Sequence, residues 1–235
     1  MQTFKDCKVI YNYPHFGLKE YDDLEHFKGP KVGEKAPDFE ATDLSGKRIH
    51  LSDFQGKIIV FESGSITCPA TIGTTKSMQE LVDKYPDVTV LLLYVREAHP
   101  GERIRPHSSF EDKLACAVRF KNEEHDNRVL LVDELEGTIH KQFGLFPNFV
   151  YVIDQDGYVA FRTPWNVPDI LDEVLTDIQE GKKVRFPERY YLPPYKNVGL
   201  RALPRAGWCA ILDVIISIPQ GLWTRYQLSK LSKDK

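Results

Sequence analysis

Ile58-Ile59-Val60-Phe61 is an unbroken apolar, largely β-branched run. A strand that is apolar at consecutive positions has both of its faces buried, so this run demands a sheet with material packed on each side. Val88 to Val95 repeats the pattern, and Pro69 to Tyr85 lies between them with Ile72, Met78, Leu81 and Val82 roughly on one helical face and Pro86 as the stop. Two fully buried strands separated by a helix predict an α/β architecture.

The remaining chain fills in that frame. Pro37 to Leu51 reads as a β-hairpin about the Ser45-Gly46 turn. Ser109 is placed to cap a helix from Phe110 to about Asn122, with Glu111 and Asp112 in its first turn. Val129 to Val132, Val150 to Ile153 and Tyr158 to Phe161 read as strands, the last two joined at Gln155-Asp156-Gly157. Pro168 opens a helix that ends near Gly181. The expectation is a central mixed sheet covered by helices on both faces, spanning residues 31–181. Residues 1–30 form an N-terminal arm packed on its surface, and 182–235 a C-terminal extension with an amphipathic, apolar stretch from Trp208 to Leu228.

Charge and cysteine usage exclude several functions. With 31 basic and 34 acidic side chains and no long basic run, there is no electrostatic footprint for nucleic acid. Met1 to Tyr13 lacks the apolar centre of a signal peptide, and Ala206 to Ile218 is shorter than the roughly 20 residues a bilayer needs, so neither secretion nor a transmembrane segment is expected. Cys7, Cys68, Cys116 and Cys209 are far apart and form no CxxC pair. They read as reduced thiols, with the cytoplasm as the default compartment.

One of these thiols is placed for chemistry. Pro69 suits the first position of a helix, which sets Cys68 at the N-terminus, where free amides and the helix dipole stabilise a thiolate. Ser65 and Thr67 are candidates to hydrogen-bond that sulfur; the competing reading is an inert buried cysteine. At the end of the next strand, Tyr94-Val95-Arg96-Glu97-Ala98-His99 brings out ionisable groups together. His99 is expected to shuttle a proton with Glu97 orienting it, against the alternative of a solvated loop. Pro147, just before a strand, is a candidate cis bond near the thiol. A zinc site from Cys68, His99 and His107 lacks close ligand spacing, so no metal is expected. Gly73-Thr74-Thr75-Lys76 lacks phosphate-loop spacing. Cys116 is expected to pack inward from its helix, and Cys7 or Cys209 could resolve an oxidised Cys68. The apolar C-terminal residues Trp208, Ile211, Leu212, Ile215, Ile216, Leu222 and Trp223 suggest self-packing or a homodimer rather than a membrane surface.

Taken together, the strand order, Cys-Pro at a helix start and Pro147 before a hairpin resemble the thioredoxin fold. The finer resemblance is to the iodothyronine deiodinases over roughly residues 30–180. Their Gly-Ser-x-Thr-Sec-Pro segment is matched by Gly64-Ser65-Ile66-Thr67-Cys68-Pro69, with cysteine in place of selenocysteine. Their Tyr-Ile-Glu-Glu-Ala-His-Pro segment is similar to Tyr94-Val95-Arg96-Glu97-Ala98-His99-Pro100, and a Pro-x-His-x-Ser-Leu-Glu-Asp run is similar to Pro106-His107-Ser108-Ser109-Phe110-Glu111-Asp112.

The resemblance implies a nucleophile at Cys68, a supporting hydroxyl at Thr67, a proton relay of Tyr94, Glu97 and His99, and a substrate contact at His107. It implies no bound cofactor, a small-molecule substrate, and an external thiol or thioredoxin-like protein as reductant. Two departures stand out: a thiol attacks iodine less readily than a selenol, and Arg162 sits at the wrong offset to be the arginine the family uses after its last hairpin. The alternatives are a peroxiredoxin-like thiol peroxidase, suggested by Val32 to Phe39 although Phe61 stands where those enzymes have proline, and a non-catalytic redoxin-like binding domain.

Overall fold

The computed structural model describes residues 10–17, 27–187 and 199–231, with residues 199, 200 and 220–231 described by backbone alone. The two fully apolar runs form its centre. β3 (Ile58–Gly64) and β4 (Val88–Tyr94) pair in parallel from Ile58 opposite Val88 to Gly64 opposite Tyr94, connected by α1 (Pro69–Lys84). β5 (Val129–Val132) extends the sheet in parallel beyond β4, after α2 (Phe110–Glu124). On the other side of β3, β6 (Val150–Ile153) and β7 (Val159–Thr163) run antiparallel as the expected hairpin, and α4 (Pro168–Gln179) follows.

The first hairpin, β1 (Glu40–Asp43) and β2 (Arg48–His50), forms as read, with β1 antiparallel to β5. The sheet therefore runs β2-β1-β5-β4-β3-β6-β7. Ser109 caps α2 by accepting the Asp112 amide at 3.1 Å.

Alternation along the strands divides the interior. Val60, Val90, Leu92, Tyr94, Leu130 and Val152 face α1, α2 and α4. Ile59, Phe61, Leu91, Leu93, Tyr151 and Ile153 face the other way. That second side is covered by the short α3 (Thr138–Gln142), the loop around Phe39 and Leu51, and a cluster of aromatic rings including Phe143 and Phe149.

Both flanking regions do more than lie on the surface. Tyr11 and Tyr13 of the arm are buried; Tyr13 donates to the Ala98 carbonyl at 2.8 Å and Tyr11 Oη meets His140 Nδ1 at 2.9 Å. α5 (Gly199–Ala206) buries Ala202 in the cluster that holds Ile66, Leu92 and Tyr94. Arg201 and Arg205 reach Glu124 at the end of α2 at 2.8 and 2.7 Å. Glu102 accepts the Trp208 and Cys209 amides that begin α6 (Trp208–Leu231) at 2.6 and 3.0 Å, and these bonds hold its carboxyl down at about 2. Gly101 is required where it stands, because a side chain there would meet the Ala206 carbonyl oxygen at 2.5 Å. Trp208, Leu212, Ile215 and Ile216 remain exposed along one stripe of α6, while Leu222 and Trp223 carry no described side chains. Among the described residues, no helix is long and apolar enough to cross a membrane.

Candidate active site

β3 delivers the chain to the top of the sheet through Gly64, where a Cβ would strike Thr71 Cγ2 at 2.6 Å and Leu92 Cδ1 at 3.0 Å. This close approach seats the first turn of α1 on the strand end. Pro69 occupies the first turn and Cys68 is the extended residue before it, as the sequence predicts.

The chemistry of the sulfur differs from the expectation. Cys68 is only 2% exposed and packs with Ala70, Ala98 and the partly buried Trp165. Burial pushes its pKa up; the Thr71 hydroxyl and the amides of Thr71 and Ala70 pull the other way without closing a helix-cap hydrogen bond, and the Glu62 carboxylate adds a further upward push. A dipole of about half a charge at the helix end does not offset removal of the sulfur from water. The resting group is therefore a neutral thiol, not the stored thiolate expected from position alone.

Ser65 and Thr67 do not serve the sulfur either. Ser65 Oγ accepts the Ala98 amide at 3.2 Å, and Thr67 Oγ1 accepts the His99 amide at 3.1 Å while donating to Glu97 Oε2 at 2.6 Å. Thr71, which the sequence reading passed over, is the hydroxyl facing the thiol. Behind it, Asn148 Nδ2 lies 3.3 Å from Thr71 Oγ1 and donates to Glu62 Oε1 at 2.7 Å, and Glu62 pairs with the fully buried Arg128. Because Glu62 can only accept, it fixes the amide of Asn148 with nitrogen inward, and that amide leaves the Thr71 proton free to point at sulfur. Pro147 aims this arrangement rather than bending it: its peptide bond is trans, and Ser63 Oγ holds the segment by donating to the Phe146 carbonyl at 2.8 Å and accepting the Phe149 amide at 3.0 Å.

Glu97 is the hub on the opposite side. Its carboxylate accepts from Tyr94 Oη at 2.5 Å, from the Thr67 amide at 3.2 Å and hydroxyl, and meets His107 Nε2 at 3.1 Å. Burial works against its charge, but His107, Thr67 and Tyr94 outweigh burial and hold its pKa below the ordinary carboxylate range. Tyr94, Glu97 and His107 thus come together as one buried network, so His107 is no mere helix-start residue.

His99 stands apart from that network. Its partner is the ring of Phe16, with centroids 4.1 Å apart, and its Nδ1 is buried without a hydrogen bond. Burial lowers its pKa to about 3, so it is a neutral imidazole at physiological pH. Glu97, already engaged by four groups from three other residues, does not orient it. Arg162 donates to the Gly29 and Pro30 carbonyls and lies against Phe27.

Cys116 has one side packed on the core and is half-buried, and its thiol comes within 4.8 Å of ligand atoms of Glu97 and His107. These three, rather than Cys68, His99 and His107, are the described residues able to hold a metal ion. Cys7 lies outside the described residues, and Cys209 sits at the start of α6.

The family model for iodothyronine deiodinase matches residues 11–175, most of the chain. The chain belongs to that family. It is 28% identical over 166 residues to a type I iodothyronine deiodinase from Xenopus laevis, covering 65% of this chain and 64% of that one. It is 30% identical over 169 residues to a thyroxine 5-deiodinase from Gallus gallus, covering 66% and 62%. The chain thus spans less than two thirds of the length of these relatives. Among solved structures it is similar to a hypothetical protein from Sinorhizobium meliloti, with a TM-score of 0.56, 15% identity, and coverage of 73% and 96%. It is also similar to a candidate thiol:disulfide interchange protein from Chlorobium tepidum, with a TM-score of 0.52, 18% identity, and coverage of 65% and 98%. The fold of this family member is thioredoxin-like.

Proposed function

We propose that this deiodinase-family chain is a thiol-dependent oxidoreductase that uses Cys68 as its nucleophile, with reductive removal of iodine from a phenolic ring as the reaction it fits best. The observation that carries the reading is the double hydrogen bond from Thr67, the residue next to the sulfur, to Glu97. It joins the thiol's own loop to a buried carboxylate, phenol and imidazole that can take up and return one proton.

The half-buried Trp165 is the side chain a substrate ring displaces to reach the sulfur, so deprotonation accompanies binding. The thiolate then attacks iodine. The S–I bond forms as the C–I bond breaks, the electron pair passes to the ring carbon, and a proton from the Glu97 network closes that carbon. An external thiol displaces iodide to leave a mixed disulfide, and a second thiol releases Cys68, so the reductant supplies both electrons. Neutral His99, with its unpaired Nδ1, offers the substrate a hydrogen bond, and His107, Ser65 and Pro147 shape the surrounding walls. No metal or organic cofactor enters the scheme. The reductant is a small thiol or a thioredoxin-like protein, consistent with a cytoplasmic setting, and the exposed stripe of α6 supports pairing with a second copy.

The test compares wild type with Cys68→Ser using iodinated phenols and, separately, hydrogen peroxide, with a dithiol as reductant. Iodide release that Cys68→Ser abolishes is the expected result. Peroxide turnover without iodide release would transfer the reading to the thiol peroxidase, and neither activity would leave a binding domain.

A further inference from the structure

Cys116 takes no part in the scheme above, yet α2 places its thiol beside the two most constrained groups of the site. Glu97 follows the end of β4, His107 precedes α2, and Cys116 lies in the second turn of α2, so rigid elements converge on one point. Their carboxylate oxygen, imidazole nitrogen and sulfur all lie within 4.8 Å of one another. Tetrahedral zinc, with bonds of about 2.0–2.3 Å, sets its ligands roughly 3.3–3.8 Å apart, so closure needs movements of about an ångström. A second observation points the same way. The His107 side chain is 1% exposed and its Nδ1 is buried without a partner, so the ring's one hydrogen bond runs from Nε2 to Glu97 and no second bond holds it away from a metal.

We propose that Glu97, His107 and Cys116 form a three-ligand site for a thiophilic divalent cation of the zinc class. One carboxylate and one thiolate balance the double positive charge, which keeps the occupied site neutral in a water-poor interior. Binding releases the Cys116 proton to solvent and replaces the contact between Glu97 and His107. The half-buried position of Cys116 gives the ion access along the outer side of α2. Lys113, the nearby ammonium, is engaged by the Glu134 carbonyl at 2.8 Å. Occupancy would remove Glu97 from proton handling and so inhibit turnover; that consequence rests on the proposed function, whereas the binding does not.

The experiment uses full-length protein carrying Cys7→Ser, Cys68→Ser and Cys209→Ser, so that Cys116 is the sole thiol. Titration with cadmium ions, followed by thiolate-to-metal absorbance, is expected to saturate at one ion per chain and to be displaced by zinc. Adding Cys116→Ser should abolish the absorbance, and His107→Asn should weaken binding about tenfold or more, with circular dichroism confirming that both variants fold. Absorbance that never develops, or affinity that His107→Asn leaves unchanged, would overturn the site, and neither result depends on catalysis.

Discussion

At Cys68 and His99, burial by neighbours from other stretches of the chain sets the charge that each group carries. A cysteine at a helix start and a histidine after a buried strand read as a thiolate and a proton carrier, but each charge depends on surroundings contributed by distant segments. Trp165 and Ala98 enclose the sulfur, and Phe16 covers the imidazole. Thr71 escaped notice for the same reason, since its role comes from Asn148, 77 positions away. Thr71→Val should raise the Cys68 pKa by about one unit, the worth of one hydrogen bond to a charged acceptor, and Thr71→Ser should restore it. Iodoacetamide labelling rate against pH measures both. His99 gives a second outcome. Its native pKa of about 3 lies below the unfolded value near 6.5, so below pH 6.5 the unfolded chain takes up a proton that the folded chain refuses. Stability should therefore fall as pH drops from 6.5 toward 3, by at most about 1.4 kcal/mol per unit, and His99→Gln should flatten that part of a melting-temperature profile.

At the scale of elements, the sequence showed most strands, the long helices and the Ser109 cap because each rests on local periodicity or on a turn residue of known habit. α3 was missed: five residues carry too little period, and its start is set by Gly137 in a left-handed conformation. The pairing of β1 with β5 joins segments nearly ninety residues apart and has no local signal. The decisive junction is β3 against α1, where Gly64 admits Thr71. Gly64→Ala should cost about 1–3 kcal/mol through overpacking and should also slow Cys68 labelling, because α1 must lift from the strand. Urea unfolding and labelling of the same sample check the two effects together; lost stability with unchanged labelling would separate the junction from the thiol.

Across the whole molecule, the extensions that sequence texture set apart from the central domain are bonded into it. Glu124, with its side chain 3% exposed, receives both Arg201 and Arg205 and so fastens α5 to the end of α2. Glu124→Gln should lower the melting temperature by about 2–6 °C, corresponding to about 1–2 kcal/mol, and scanning calorimetry would show it. The loss should shrink at high salt in the wild type, since Arg201 is largely open to solvent.

Phe16, whose ring covers His99, donates its backbone amide to Asp213 at 3.1 Å, a bond between residues 197 positions apart. A ribosome releases residue 16 long before residue 213. Throughout that interval the nascent chain holds the imidazole without its final cover. The neutral state of His99 is thus completed only once the segment around Asp213 has been made, whereas the cover of Cys68 by Ala70, Ala98 and Trp165 is assembled from chain that emerges earlier.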